Sequence, residues 1–174
     1  MNIKNMTYTA LMAAVICILA PLSIQIGPIP ISFTNLALYF AVYVIGTKRA
    51  TYSYTIYYLL GLVGLPVFSG FTGGIGKAVG PTGGCLIGFF FMVIISGIFV
   101  SKFKDNKIMQ MIGMIIGTIV VYTLAVLWFC FTMKKSLLEG VMVCVAPFIV
   151  IDLIKMVLAM YVGTAIRKRL NVVK

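Results

Sequence analysis

The residues best suited to chemistry in this sequence are an aspartate and a lysine, Asp152 and Lys155, inside an otherwise apolar run that follows Pro147. Residues three apart are neighbours on one face of a helix, and Pro147 is a residue type that can serve as the first residue of a helix. Each charge alone in hydrocarbon would cost at least ~2.5 kcal/mol, and ionisable residues inside apolar spans usually mark a pathway or a ligand site. We therefore predict that both side chains face the protein interior, where they pair with each other, and that they form part of a binding site. The alternative is an ion pair that only holds helices together.

A second candidate site lies in a glycine-rich segment, where eight of the seventeen glycines fall between Gly70 and Gly88. Irregular backbone at membrane depth persists only where protein buries it or where it lines a cavity. Within this segment, Gly80-Pro-Thr-Gly-Gly84 is predicted to begin a helix with Thr82 as its cap, which leaves backbone N–H groups for a carboxylate. The same pattern is equally typical of a tight turn that only caps a helix.

Several kinds of catalytic machinery are missing from the sequence. It contains no histidine, which excludes histidine-based metal sites, proton shuttles and triads. A phosphate-binding loop fails around Gly76-Lys77, because Phe71 replaces its first glycine and Ala78 replaces its Ser or Thr. The four cysteines lie in apolar stretches without a C-x-x-C pair, which favours packing over redox or metal chemistry. We expect no metal and no cofactor.

The composition indicates an integral membrane protein. The chain has 174 residues, of which 62% are hydrophobic, while only 14 are Lys or Arg and 3 are Asp or Glu. Its mean hydropathy is +1.15. A soluble domain carries about a quarter charged residues, so cytosolic enzymes, secreted disulfide scaffolds and disordered tails are excluded. The net charge of +11 comes from short basic clusters between apolar runs, which indicates membrane topology rather than nucleic-acid binding.

The apolar runs predict an all-α protein with six transmembrane helices in a single membrane-embedded domain, residues 1–174. The first run, from Thr7 to Ile26, reaches ~30 Å at 1.5 Å per residue, so we expect a retained helix rather than a cleaved signal peptide. The second and third helices are short for a full span, so they are either less tilted or lie where other helices shield their ends. The predicted helices are 7–26, 33–47, 50–65, 83–101, 108–132 and 142–166.

The basic residues predict the orientation of these helices. Ten lie on one side of the membrane in this arrangement and three on the other, with Lys155 inside the last helix. The positive-inside rule then places both termini in the cytoplasm of a multi-pass cell-membrane protein. The ten are Lys4, Lys48, Arg49, Lys102, Lys104, Lys107, Arg167, Lys168, Arg169 and Lys174, and the three are Lys77, Lys134 and Lys135.

Four segments distributed along the chain carry a resemblance to a known family, and the resemblance extends over essentially the whole chain. They are Gly27-Pro-Ile-Pro-Ile-Ser-Phe-Thr-Asn35, Gly64-Leu-Pro-Val-Phe-Ser-Gly-Phe-Thr-Gly-Gly74, Gly80-Pro-Thr-Gly-Gly-Cys-Leu-Ile-Gly-Phe89 and Pro147-Phe-Ile-Val-Ile-Asp-Leu-Ile-Lys155. In this order they resemble the BioY family, the biotin-specific S component of energy-coupling-factor transporters. The resemblance implies a six-helix S-component fold that binds external biotin, is not an enzyme, and works with a membrane T component and two cytoplasmic ATPases.

The resemblance also implies roles for individual residues. Asp152 and Lys155 would face the biotin ureido ring, where an ionised carboxylate accepts from N–H groups and an ammonium donates to the carbonyl. The helix start at residues 80–85 would lie near the valerate carboxylate, and the outer loop from Pro28 to Asn35 would form part of a lid. Ala10 and Ala14 match the A-x-x-x-A pattern by which S components dock on the T component. The implied ligand-binding residues are Asp152, Lys155, Gly80, Pro81, Thr82, Gly83, Gly84, Cys85, Phe33, Asn35 and Gly70.

Two positions depart from the family pattern. Cys85 stands where a larger aromatic or basic residue is common, so recognition of the carboxylate can differ here. Lys77 is an unusual charge in its loop and is a candidate substitute, although a solvated loop lysine is the favoured reading. Neither departure affects Asp152 or Lys155.

Three other functions stay open at this point. They are an S component for another vitamin, an intramembrane enzyme and a structural membrane subunit without a ligand. The enzyme has the least support, since no nucleophile stands beside a base. In the structural subunit, Asp152 and Lys155 would be a clamp between helices.

Overall fold

The fold is described from a computed structural model over residues 3–25 and 29–170. These residues form helices and one short antiparallel hairpin, in which Ser23 pairs with Ser32 and Ile24 with Ile31. The predicted all-α class is confirmed, because the two strands have only two residues each. In chain order the elements are α1 Ile3–Leu19, β1 Ser23–Ile24, β2 Ile31–Ser32, α2 Thr34–Ile45, α3 Thr47–Val63, α4 Ile75–Val79, α5 Gly83–Lys102, α6 Lys107–Met133, α7 Leu137–Cys144 and α8 Ile149–Leu170.

Membrane character is evident in the long helices. Within the described residues, α5, α6 and the segment Ile149–Arg167 of α8 are long and apolar enough to cross a bilayer. Helices α1 and α2 are apolar but shorter, with 17 and 12 residues. Together with α3, these helices overlap the positions of the six predicted spans.

Helix α1 differs from its prediction at both ends. It begins at Ile3 and ends at Leu19, whereas the sequence predicted 7–26. Pro21 explains the early end, since proline has no N–H for the helix ladder and its ring disfavours helical geometry in the residue before it. The chain then enters β1, and Ile26, where the predicted helix ends, lies outside the described residues.

The junction between α2 and α3 is tighter than predicted. Gly46 alone separates the two helices, with a φ of 79° that glycine tolerates better than other residues. Lys48 and Arg49, which were predicted to form the connection, lie instead in the first turn of α3.

The predicted last span, 142–166, is two helices. Its first three residues belong to α7. A reciprocal capping box between Ser136 and Glu139 stabilises the start of that helix. Pro147 lies in the turn between the two helices, two residues before α8, so it is not the first residue of the helix. The segment 66–82, predicted as a connection, contains the short helix α4.

Glycines allow α5 and α6 to pack closely. A Cβ atom on Gly84 would lie 2.5 Å from Cβ of Trp128, and one on Gly88 would lie 2.9 Å from Cα of Val121. Such close approach of backbones is what small residues at spacing four permit in a bilayer. Ala10 and Ala14 differ from these glycines, because both lie exposed on α1.

Helix α2 runs through the centre of the bundle, with ten of its twelve residues buried. The hydroxyl group of Tyr39 hydrogen-bonds with that of Thr118, and Tyr43 donates to Oε1 of Gln110 at 3.0 Å. Both partners are on α6. Because protein covers α2 along its length, this helix does not itself need the length of a lipid-facing span.

Candidate ligand-binding site

The site is built around a buried ion pair near the start of α8. Nζ of Lys155 lies 3.1 Å from Oδ1 of Asp152, and the two side chains are only 6% and 5% exposed. The prediction that both charges face the interior and pair is confirmed. Their helical spacing of three residues puts the two side chains on one face, and the core around α2 removes that face from lipid.

Residues around the start of α2 complete the coordination of the lysine. Nζ donates to the carbonyl oxygen of Ser32 at 2.8 Å and to Oδ1 of Asn35 at 3.0 Å, in addition to Asp152. An ammonium group has three N–H donors. All three therefore have partners within the protein.

The aspartate has further partners on two other helices. Nδ2 of Asn35 donates to its Oδ1 at 2.6 Å, and the hydroxyl of Tyr122 donates to its Oδ2 at 2.8 Å. A carboxylate offers about four acceptor positions, two on each oxygen. Donors from the described residues occupy three of them, which leaves one on Oδ2, the oxygen that Tyr122 approaches. The carboxylate is thus oriented from three sides and keeps one acceptor position.

Sequence reasoning missed Tyr122 and Ser32. A usable signal existed for Tyr122, because Gln110, Thr118 and Tyr122 recur at helical spacing on the bundle-facing side of α6. Ser32 had no such signal, since it contributes a backbone carbonyl, which every residue possesses.

A cavity of about 60 Å³ lies beside this network. A single buried water needs about 10–15 Å³ of such space, so the cavity admits a group of several heavy atoms. Asp152 and Tyr122 belong to its wall, whereas Lys155 does not and stands behind them. The lining residues are Ile29, Pro30, Ser32, Thr34, Asn35, Tyr57, Phe68, Ser69, Lys77, Thr82, Cys85, Leu86, Phe89, Val121, Tyr122, Cys144, Phe148 and Asp152.

Aromatic rings form much of the apolar wall. Tyr57 and Phe68 meet edge to face with their ring centres 5.7 Å apart. The ring of Phe68 fits because Gly61 has no Cβ, which would otherwise collide with it. A mostly apolar wall with a few convergent polar groups is typical of small-molecule sites.

The start of α5 is arranged differently from its prediction. Thr82 is at the cap position, but its hydroxyl makes no capping bond and donates to the carbonyl oxygen of Lys77 at 3.3 Å. Thr82 and Cys85 line the cavity, whereas Gly83 and Gly84 pack against Trp128 on α6. Helix packing thus accounts for these two glycines without a ligand.

Gly80 and Pro81 form the turn before α5, outside the cavity lining. The carbonyl oxygen of Gly80 accepts a bond of 2.9 Å from the indole N–H of Trp128, which ties this turn to α6.

The cavity lining does not include Phe33, between β2 and α2, or Gly70, in the loop after α3. Phe33 is 41% exposed, while its neighbours Ser32 and Thr34 line the cavity. Gly70 donates its backbone N–H to the carbonyl oxygen of Pro21 at 3.0 Å, so it joins the loop after α3 to the loop after α1. Pro28, where the predicted lid begins, lies outside the described residues.

Comparisons with known proteins agree over nearly the whole chain. A sequence model of the BioY family matches residues 1–172. Biotin transporter BioY2 of Lactococcus lactis subsp. cremoris is 31% identical over 170 residues, which cover 98% of this chain and 93% of that protein. Biotin transporter BioY of Thermotoga maritima is 32% identical over 165 residues, which cover 95% and 96%. A crystal structure of the S-component for biotin from an ECF-type ABC transporter aligns with a TM-score of 0.88 at 33% identity, covering 95% of this chain and 92% of that one.

Proposed function

This chain belongs to the BioY family, and we propose that it is the biotin-binding S component of an energy-coupling-factor transporter. The observation that carries the proposal is the oriented carboxylate of Asp152 at the wall of a largely apolar cavity. Biotin combines an apolar sulfur-containing ring and alkyl chain with a fused ureido ring, which can donate two N–H bonds. The relatives named as biotin transporters, and the biotin S-component of similar fold, support the same ligand.

The free acceptor position on Oδ2 of Asp152 takes a ureido N–H in this proposal. Lys155 acts as a positioning residue, because its three donors already bind Ser32, Asn35 and Asp152. The implied donation from Lys155 to the ureido carbonyl would require it to exchange one of these partners. Its ammonium group pairs with the Asp152 carboxylate and holds it in place, and a charged carboxylate is a stronger acceptor than a neutral group.

The chain binds biotin on the outside and releases it inside when a T component and two ATPases supply the energy. Basic residues support this orientation in the cell membrane, because Lys48, Lys104 and Lys107 lie at helix junctions on the same side as Lys4 in α1. Both termini are then cytoplasmic. The chain itself performs no chemical conversion.

The test is binding of biotin to the purified full-length protein in detergent, with thiamine and riboflavin as controls. Selective binding of biotin with one site per chain supports the proposal. Binding of thiamine or riboflavin instead would identify an S component for another vitamin, and turnover of the ligand would indicate an enzyme. A folded protein that binds none of the three would favour the structural subunit.

Tyr122→Phe is expected to weaken biotin binding about 10-fold, since a hydrogen bond to a charged group contributes roughly 1.5–3 kcal/mol. The change removes only the hydroxyl that orients Oδ2 of Asp152. Titration calorimetry on the detergent-purified protein measures the effect. Tyr161→Phe is the matched control, because that tyrosine is 60% exposed on α8. Equal affinity in both variants would contradict the assigned role of Tyr122.

Ala14→Leu is expected to abolish biotin uptake in cells that contain the T component and ATPases, while binding by the isolated protein is unchanged. Ala14 and Ala10 form an exposed small-residue face on α1, against which another helix can approach closely. The matched control is Ala165→Leu, since Ala165 is exposed on α8. Normal uptake by the Ala14 variant would argue against docking through this face.

A further inference from the structure

Lys77 is the one basic side chain in the cavity lining of the described residues. It lies in α4, in the segment that connects α3 and α5, and it is half-buried. Among the described residues its ammonium group has no hydrogen-bond partner and no carboxylate within ion-pair distance. Lys155 differs in each respect, because it stands behind the cavity wall with all three donors occupied.

The position of Lys77 is determined by its backbone. The backbone N–H of Lys77 donates to the carbonyl oxygen of Gly74 at 3.2 Å, and the carbonyl oxygen of Lys77 accepts a hydrogen bond of 3.3 Å from the hydroxyl of Thr82. Thr82 also lines the cavity. The lysine is therefore held against the first turn of α5 and is not carried on a free loop.

The electrostatic environment of Lys77 favours an anionic ligand. Burial lowers the pKa of Lys77. Asp152 gives no compensation, because its carboxylate is paired with Lys155 and hydrogen-bonded to Asn35 and Tyr122. A half-buried ammonium that has lost part of its hydration without gaining a counterion among the described residues is stabilised by pairing with a carboxylate.

We propose that Lys77 holds the carboxylate of the bound ligand, at a position separate from the Asp152 network. This inference rests on the proposed function and concerns the valerate end of biotin. Cys85, also in the lining, carries no charge as a thiol and offers the carboxylate only a weak donor. A charge-assisted bond from Lys77 supplies the recognition that Cys85 does not.

The experiment compares biotin with biotin methyl ester, which keeps the ureido ring but lacks the negative charge. The wild-type protein should bind biotin about 10- to 100-fold more tightly than the ester, as expected for a hydrogen bond between charged groups. Lys77→Gln should lose this preference by weakening biotin alone, with its affinity for the ester unchanged. Lys77→Arg should keep the preference, and Lys134→Gln is the matched control because Lys134 is exposed after α6.

The outcomes separate this inference from the proposed function. A Lys77→Gln variant that still prefers biotin over the ester overturns the role of Lys77 and leaves biotin binding intact. Equal weakening of both ligands also overturns it, since a structural role of Lys77 predicts that result. A folded wild-type protein that binds neither ligand overturns the proposed function together with this inference. Monodisperse elution in size-exclusion chromatography verifies that each variant is folded.

Discussion

Asp152→Asn is expected to weaken biotin binding by about 100-fold or more. The change removes the charged acceptor for the ligand and also disrupts the hydrogen bonds that orient this side chain. An asparagine keeps the shape of the side chain but replaces one oxygen by an amide that donates. It cannot accept from Asn35, Lys155 and Tyr122 and still leave a position for the ligand. Lys155 also loses its counterion, and breaking a buried pair in this way costs roughly 3–5 kcal/mol.

Loss of binding must be distinguished from loss of folding. The double variant Asp152→Asn/Lys155→Met removes both charges, so it should recover the thermal stability of the protein but not its binding of biotin. Asp105→Asn is the matched acid control, because Asp105 is exposed between α5 and α6. Titration calorimetry with biotin and thermal unfolding in the same detergent provide the two measurements.

Two results would count against this assignment. Wild-type affinity for biotin in Asp152→Asn would show that the carboxylate does not bind the ligand. The exchanged pair Asp152→Lys/Lys155→Asp tests the structural alternative, in which the two residues only clamp helices. Full recovery of stability and transport by the exchange would favour that clamp, whereas the proposed site predicts that binding stays lost.

Gly84→Ala is expected to destabilise the protein by about 2 kcal/mol, within the usual range for overpacking a close contact. The added Cβ would lie 2.5 Å from Cβ of Trp128 and would collide with the carbonyl oxygen of Leu124. Because Leu124 contributes a backbone atom to this collision, no change of side-chain rotamer can relieve it, and α5 and α6 must move apart. Thermal unfolding in detergent should show a Tm lower by roughly 4–8 °C.

Gly76→Ala is the matched control for this prediction. An added Cβ at Gly76 has no atom within 4 Å, and Gly76 lies in helix α4. Alanine in a helix is favoured over glycine by roughly 0.5–1 kcal/mol, so this variant should be as stable as the wild type or slightly more stable. Equal Tm values for the two variants would contradict the close packing of α5 on α6.

Much of the fold could be predicted from the sequence because membrane insertion depends on local composition. The apolar runs predicted the all-α class and the approximate positions of the long helices, and the cost of buried charge predicted that Asp152 and Lys155 pair. The errors occurred at Pro21, Gly46 and Pro147, where hydropathy does not change but backbone geometry does. The resemblance to the BioY family is confirmed by the family match, because it depends on residue order and not on three-dimensional contacts.

The detailed arrangement of the site depended on tertiary structure. Asn35 and Asp152 are 117 positions apart in the chain, and Tyr122 reaches the same carboxylate from a third helix. Spacing along one helix predicts which side chains share a face, but not which face of another helix lies opposite. Counting partners across helices, among the residues that the structure describes, identifies the free acceptor on Asp152 and the unpaired ammonium of Lys77. The sequence by itself therefore determined the class of protein and its central charges, and the packing of α2, α6 and α8 decided which groups remain available to a ligand.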